Sequence, residues 1–286
     1  MITNEYLDQE IDRIITAAIK EDVGDGDHSA MACIPQDARG KAKLLVKDSG
    51  VLAGMEFARR VFEKTDPDLK MKSLLKDGDS IKKGDIAFYV EGSSRAILRA
   101  ERLVLNGMQR MSAIATKTRA FVNQLEGTGA KILDTRKTTP GIRALEKWAV
   151  LIGGGKNHRF GLFDMIMLKD NHIDFSGGVK KAIQKTNRYL QDQSLSLEIV
   201  VEARSMKEIK EILEVGGVDR ILIDNFNFQE TKEAVKLIGG RFKTESSGGI
   251  TLETARQYAE CGVDYISSGA LTHSVHNLDL SLKAME

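Results

Sequence analysis

The stretch Leu197-Glu198-Ile199-Val200-Val201-Glu202, followed by Ile221-Leu222-Ile223-Asp224, decides the fold. Each is a short β-branched run that ends on a carboxylate, and a helical pattern fills the space between them. The same unit recurs in both directions. Toward the N-terminus, Lys131-Ile132-Leu133 ends at Asp134, and Met165 to Leu168 ends at Lys169 and Asp170. Toward the C-terminus, Arg241 to Thr244 ends at Glu245 and Ser246, and Tyr265-Ile266 ends at Ser267 and Ser268. The ends recur every 20 to 35 residues or so, roughly the length of one strand–helix unit. Strands that only build a core do not need Lys, Glu and Asp along one edge. Enzymes with parallel strands carry their reactive side chains at that edge. Six such units are present, fewer than a regular barrel needs, so the pattern predicts an incomplete βα barrel within an α/β fold.

The chain ahead of the barrel has a different texture. Leu7, Ile11, Ile14, Ile15, Ala18 and Ile19 share one helical face, which predicts a helix over 5–20. The acidic, glycine-broken stretch 21–28 reads as a surface loop. Its acids stand at the wrong intervals for a calcium loop, and Cys33 occupies the position where an EF-hand needs Glu. Residues 40–92 alternate and turn like short strands, and 94–125 read as one long helix with Val104, Leu105, Met108 and Met111 on its apolar face. The break at Gly127-Thr128-Gly129 places the expected domain boundary, with 1–127 as a smaller α+β domain and 128–286 as the barrel.

Composition narrows the function. The 286 residues carry 42 Lys and Arg against 41 Asp and Glu, a net charge of +1. A surface that coats nucleic acid or anionic membrane is strongly basic, so neither is an expected partner. No apolar run approaches the roughly 18 residues of a membrane helix. Cys33 and Cys261 form no paired motif, which predicts neither a disulfide framework nor structural zinc and points to a reducing compartment. With the acidic N-terminus, the expected location is the cytoplasm.

Cations concentrate between Arg136 and His172. Arg136, Lys137, Arg143, Lys147, Lys156, Arg159 and Lys169 face only Glu146, Asp164 and Asp170 there, with His158 and His172 besides. That suits a small, multiply anionic ligand, and arginine adds bidentate recognition of carboxylate or phosphate. Arg143 and Lys147 read as solvated helix positions. Two serine–glycine loops, Ser246-Ser247-Gly248-Gly249 and Ser267-Ser268-Gly269-Ala270, follow the last strands, where barrel enzymes bind phosphate. Glu202 and Asp224 could hold ribose hydroxyls, stand near Mg²⁺ or offset a developing positive charge; a buried ion pair is their structural alternative. Lys169 has a rival reading as a Schiff-base lysine. No G-x-G-x-x-G follows a strand, so glycosyl or phosphoribosyl transfer fits better than hydride transfer, and neither G-x-S-x-G nor H-E-x-x-H occurs.

These residues lie in segments that resemble the quinolinate phosphoribosyltransferase family. They include Asp134-Thr135-Arg136-Lys137-Thr138-Thr139-Pro140-Gly141, Gly153-Gly154-Gly155-Lys156-Asn157-His158-Arg159 and Leu168-Lys169-Asp170-Asn171-His172. Glu101-Arg102, Val201-Glu202-Ala203-Arg204, Ile223-Asp224-Asn225, Glu245-Ser246-Ser247-Gly248-Gly249-Ile250 and Ser268-Gly269-Ala270-Leu271-Thr272-His273 extend the match along nearly the whole chain. The resemblance implies an N-terminal α/β sandwich and an incomplete barrel. It implies a reaction in which quinolinate and phosphoribosyl pyrophosphate give nicotinate mononucleotide, pyrophosphate and carbon dioxide, with Mg²⁺ accompanying the pyrophosphate. It assigns the quinolinate carboxylates to Arg136, His158, Arg159 and Lys169, with Thr135 beside them. Lys137, Glu202 and Asp224 attend phosphoribosyl pyrophosphate and its metal; Lys137, Glu202 and Asp224 are thereby the expected catalytic residues. Ser247, Gly248, Gly249, Ser268, Gly269 and Ala270 fall to the phosphate, and His273 joins the substrate-binding residues. A homodimer or hexamer is implied, with Arg102, otherwise readable as a solvated helix residue, reaching the partner's site. Ile142 stands where the family often has Leu. A molybdenum-transport paralogue shares part of the pattern but typically lacks the complete Lys169–His172 segment. A Schiff-base aldolase or decarboxylase and an idle sugar-phosphate binding protein are the other readings.

Overall fold

The computed structural model describes residues 4–285. In chain order it forms α1 (Asn4–Val23), α2 (His28–Cys33), β1 (Arg39–Val46), β2 (Gly50–Val51), α3 (Met55–Thr65), β3 (Lys70–Ser73), β4 (Ser80–Ile81), β5 (Ile86–Ser93) and α4 (Ser94–Gln124). There follow β6 (Lys131–Leu133), α5 (Arg143–Ile152), β7 (Ile166–Leu168), α6 (Asp170–Ser176), α7 (Val179–Asp192), β8 (Ile199–Ala203), α8 (Met206–Val215), β9 (Arg220–Asp224), α9 (Phe228–Ile238), β10 (Lys243–Ser247), α10 (Leu252–Glu260), β11 (Tyr265–Ser267) and α11 (Ala270–His273). A last strand, β12 (Leu280–Met285), closes the order.

Packing divides the chain differently from the single cut expected at 127/128. One unit holds the N-terminal elements to Arg119 together with Thr138–Gly154 and the chain from Leu271 onward; the other holds Ala120–Lys137 and Gly155–Ala270. Two features explain the exchange. β12, absent from the sequence reading, pairs antiparallel with β1, Leu282 opposite Leu44. α5 joins the same unit through Glu146, which is fully buried and accepts Nε and Nη2 of Arg110 at 3.0 and 2.8 Å. The Thr139 amide and hydroxyl donate to the same carboxylate at 3.0 and 2.8 Å. The solvated reading of Lys147 does not hold, since its side chain is only 1% exposed, and Arg143 is half-buried and donates to the Thr138 hydroxyl.

The first unit is a four-stranded antiparallel sheet in the order β12-β1-β5-β3. Ala42, Leu44 and Val46 alternate inward along β1, where α3 supplies Phe57, Val61 and Phe62. The rings of Phe62 and Phe88 meet edge-on, 5.8 Å apart. Gly107 lets α4 approach this cluster, because a Cβ there would stand 2.1 Å from the Phe57 ring, and Phe57 is wholly buried. Gly107→Ala is therefore expected to destabilise the protein by about 1–3 kcal/mol through overpacking, read as a lower thermal midpoint. An unchanged midpoint would mean that Phe57 can turn aside freely.

The acidic stretch is shorter than the loop read from sequence. α1 continues to Val23, and Asp27 caps α2 by accepting the Ala30 amide at 3.0 Å.

The second unit carries the six expected strands in one parallel sheet, ordered β6-β11-β10-β9-β8-β7. β6 and β7, consecutive among the strands, lie at its two opposite edges, which is the incomplete βα barrel that the strand count predicts. Side chains at paired positions of parallel strands share a face. Register therefore puts Glu202, Leu222, Glu245 and Tyr265 on one face, with Asp224, Ser247, Ser267 and Leu133 two positions further along on the same face. The alternate positions, Val201, Ile221, Ile223 and Ile266, are buried on the other. One face of this sheet is thus apolar apart from the buried Thr244 and Ser246 of β10, and the other becomes polar toward the C-terminal ends of the strands.

Candidate active site

Asp134, the residue after β6, organises the cationic segment. It is fully buried and accepts the His158 amide at 2.8 Å and the Asn157 side-chain amide. The Asp134 amide in turn donates to the Lys156 carbonyl at 3.2 Å, and Leu133 bridges Lys156 in parallel. These contacts hold 156–159 against the strand that delivers Thr135, Arg136 and Lys137. Thr135 turns its hydroxyl to the Lys137 amide at 3.0 Å.

Arg159 is 8% exposed. Burial, and next the charge of Arg136, pull its guanidinium below the ordinary arginine pKa, while Asp164 acts in the opposite direction. Asp164 is occupied in accepting the Phe160 and Gly161 amides at 2.7 and 2.8 Å. Among the described residues, neither Arg136 nor Arg159 makes an ion pair with a carboxylate. Two neighbouring guanidiniums, one buried, repel each other and lose hydration, and a multiply charged anion relieves both costs.

Lys169 caps α6, its amide donating to Nδ1 of His172 at 3.0 Å. This bond explains the spacing of the Lys169–His172 motif. The Lys169 ammonium stands 3.5 Å from Oε2 of the buried Glu202. Desolvation raises the Glu202 pKa, Lys169 opposes the shift, and the charges of Asp224 and Asp170 add to it. Among the described residues no three or more His, Cys, Asp or Glu gather as a metal cage. Mg²⁺ keeps several waters and takes one or two carboxylates plus substrate phosphates, so the Glu202 and Asp224 donor set fits it.

The two serine–glycine loops differ in construction. Gly248 has φ +101°, and a Cβ on it would fall 2.2 Å from the Asn225 side-chain oxygen and 2.8 Å from the Asn225 amide nitrogen. Asn225 is itself left-handed at φ 58° and donates its amide to the Ser247 carbonyl at 2.9 Å. Gly249 faces open space ahead of α10. Gly248→Ala is expected to displace this loop, raising the KM for the phosphate-bearing substrate at least about tenfold; steady-state kinetics checks it. Ser268 is committed elsewhere: its hydroxyl donates to the Ile250 carbonyl at 3.2 Å and its amide to the Leu133 carbonyl at 3.1 Å. Its side chain thus ties one loop to the next, and Gly269 and Ala270 follow into α11.

The barrel unit brings together Thr135, Arg136, Lys137, His158, Arg159, Lys169, Glu202, Asp224, Ser247, Gly248, Gly249, Ser268, Gly269 and Ala270. Arg102, exposed on α4, and His273, exposed in α11, belong to the other unit. Glu202 and Glu245 were read as strand ends, but both lie within strands. Sequence reasoning gave no role to Asp134, Arg220 or Glu245. Arg220 donates to Glu245 at 2.8 Å, and its guanidinium lies 4.4 Å from the centre of the Tyr265 ring.

Known proteins match this arrangement. Residues 27–112 match the quinolinate phosphoribosyl transferase N-terminal domain and 114–283 its C-terminal domain. The chain belongs to the quinolinate phosphoribosyltransferase family. It is 48% identical over 285 residues to "Quinolinate phosphoribosyltransferase [decarboxylating] 1b" of Nicotiana tabacum, covering 94% of this chain and 81% of that one. It is 47% identical to the chloroplastic nicotinate-nucleotide pyrophosphorylase [carboxylating] of Oryza sativa, covering 94% and 76%. The solved NadC structure from Streptococcus pyogenes superposes with a TM-score of 0.90 at 40% identity, covering 97% of this chain and 98% of that one. The rice relative is named chloroplastic and one from Nicotiana glauca mitochondrial, which overturns the expectation of a cytoplasmic protein. A reducing compartment and an acidic N-terminus do not specify a location.

Proposed function

We propose that this chain transfers the phosphoribosyl group of phosphoribosyl pyrophosphate to quinolinate with decarboxylation, giving nicotinate mononucleotide, pyrophosphate and CO₂ in NAD biosynthesis. The observation that carries this reading is the buried Arg159 beside Arg136, neither paired with a carboxylate. Quinolinate, a rigid dicarboxylate, supplies the missing charge, and Lys169 completes the clamp. The clamp holds the pyridine nitrogen in line with the anomeric carbon. As pyrophosphate departs, Glu202 and Asp224 offset the positive charge that develops on the ribose. Ribosylation makes the ring cationic, and that electron sink permits loss of the adjacent carboxylate as CO₂. Lys137 attends the pyrophosphate, and the Gly248–Gly249 and Gly269–Ala270 backbone takes the 5′-phosphate. Glu202 and Asp224 would hold Mg²⁺, which would supply charge neutralisation for the pyrophosphate. Lys169, engaged with Glu202 at 3.5 Å, serves as a cation and forms no Schiff base.

The test is a product assay with quinolinate, phosphoribosyl pyrophosphate and Mg²⁺, and nicotinate in parallel. Nicotinate mononucleotide and CO₂ from quinolinate, with none from nicotinate, is the expected result; no product from either sinks the reading. A monocarboxylate leaves one buried cation unsatisfied, which is the source of the discrimination.

The working assembly in this reading is a homodimer or a hexamer, in which Arg102 completes the partner's clamp. The exposure of Arg102 supports it, as do Leu162 at 70%, Phe163 at 56% and Phe175 at 90% exposed. Mixing Arg102→Ala with Glu202→Gln protein, each severely impaired alone, is then expected to restore about a quarter of the native sites. No recovery after subunit exchange would place Arg102 outside the site.

A further inference from the structure

Glu245 is the one carboxylate with no exposed surface in the barrel strands, and the reaction as described gives it no task. It lies in the middle of β10, on the face it shares with Glu202 and Asp224. Its Oε2 stands 3.3 Å from Nε2 of His158 and accepts Nη1 of Arg220 at 2.8 Å. Burial alone would raise its pKa; His158, Ser267 and Arg220 together hold it below the ordinary carboxylate value. The carboxylate is thus a buried fixed charge.

The other side of the imidazole is also committed. Nδ1 of His158 accepts the Arg159 amide at 2.7 Å, so this nitrogen carries no proton. The neutral ring then has its proton on Nε2, the atom that faces Glu245. Asp134 fixes the His158 backbone at 2.8 Å. Nδ1 is hydrogen-bonded within the protein, and the buried Nε2 faces Glu245 at 3.3 Å without forming a hydrogen bond, whereas the family resemblance assigns this residue to a substrate carboxylate.

We propose that Glu245 is a positioning residue: its buried carboxylate fixes the His158 imidazole and, through Nδ1, the backbone that presents Arg159 to quinolinate. His158 is then part of the scaffold of the clamp. The inference rests on the proposed reading of Arg159 as a quinolinate clamp. Arg220, itself set over the Tyr265 ring, donates to the same Oε2 that faces His158, which holds the Glu245 carboxylate in place.

The experiment has two arms. In the native enzyme, ¹⁵N-histidine NMR assigns the His158 tautomer among the five histidines. A proton on Nε2, unchanged when quinolinate is added, is expected; a proton on Nδ1, or a tautomer that changes with quinolinate, overturns the proposal. In the second arm, Glu245→Gln is expected to raise the KM for quinolinate about tenfold, while that for phosphoribosyl pyrophosphate stays within about twofold. Glu245→Asp is expected to recover part of the loss. Unchanged quinolinate KM, or an equal rise in both constants, overturns the proposal. If Glu245→Gln does not fold, the native-enzyme spectrum decides alone. Absence of any turnover in the native enzyme would instead sink the functional reading and leave the ring assignment readable.

Discussion

Arg159→Ala lowers kcat/KM for quinolinate by about a thousandfold or more, the loss expected when one partner of a buried charge pair is removed. The reason is geometric as well as electrostatic. Asp134 pins the backbone at His158, and the Arg159 amide is fixed on the His158 ring. The guanidinium therefore arrives at the site already ordered, and little side-chain entropy is lost on binding. Alanine removes the charge but leaves Arg136 in place, so quinolinate keeps one carboxylate bound and loses the other. Arg159→Lys is expected to recover only a small part, since an ammonium cannot reproduce a bidentate fork. The KM for phosphoribosyl pyrophosphate stays near native. Steady-state kinetics with each substrate varied checks both statements, and equal losses in the two KM values would place Arg159 outside the quinolinate clamp.

The strand ends that define the barrel were legible because most of its strands are conspicuously apolar. Ile199-Val200-Val201 and Ile221-Leu222-Ile223 are apolar and wholly buried, and each hands over to a polar residue. β10 was harder. Lys243-Thr244-Glu245-Ser246-Ser247 contains no apolar residue, yet Thr244, Glu245 and Ser246 are buried. Hydrophobic pattern cannot place such a strand, which is why its start was read two residues early. It is held by specific partners: the Thr244 hydroxyl donates to Asp264 at 3.0 Å, and Arg220 donates to Glu245. The same blindness covers the division of the chain. Nothing local in Thr138–Gly154 says that Glu146 will find Arg110, because that pairing joins α5 to the middle of α4.

The candidate site divides along similar lines. Lys169, Glu202 and Asp224 were legible as unusual charges after apolar runs, and Arg136 and Arg159 as members of a cationic segment. Their supports were not. Asp134, Asn157 and His172 act by holding backbone amides and carbonyls or one another, and no residue type announces that task. The Lys169–His172 spacing was visible as a family motif, but its physical cause is the bond from the Lys169 amide to the His172 ring.

Glu202 gives the second large effect. Glu202→Gln is expected to reduce kcat by about 10²- to 10³-fold, the usual cost of losing one preorganised group aimed at developing charge. Only the ionised carboxylate offsets that charge, so activity depends on its titration. Burial pushes the Glu202 carboxyl above the ordinary value, Lys169 draws it back, and Asp224 and Asp170 push it up again. The sign follows directly: as pH falls, Glu202 takes up its proton earlier than an exposed glutamate does, and kcat falls with it. The native enzyme therefore has an acid limb displaced upward from the ordinary carboxylate range. In Glu202→Gln this limb is lost from the residual activity. Lys169→Met removes the largest opposing influence, so its residual activity has an acid limb at still higher pH, whatever its loss in quinolinate affinity. A Glu202→Gln enzyme that keeps the native acid limb would assign the titration to another group. An acid limb that moves downward in Lys169→Met would mean that the ammonium is not what stabilises the Glu202 charge. The two profiles together separate a carboxylate that acts on the reacting sugar from one that merely pairs with a neighbouring lysine, because only the first couples its ionisation to kcat.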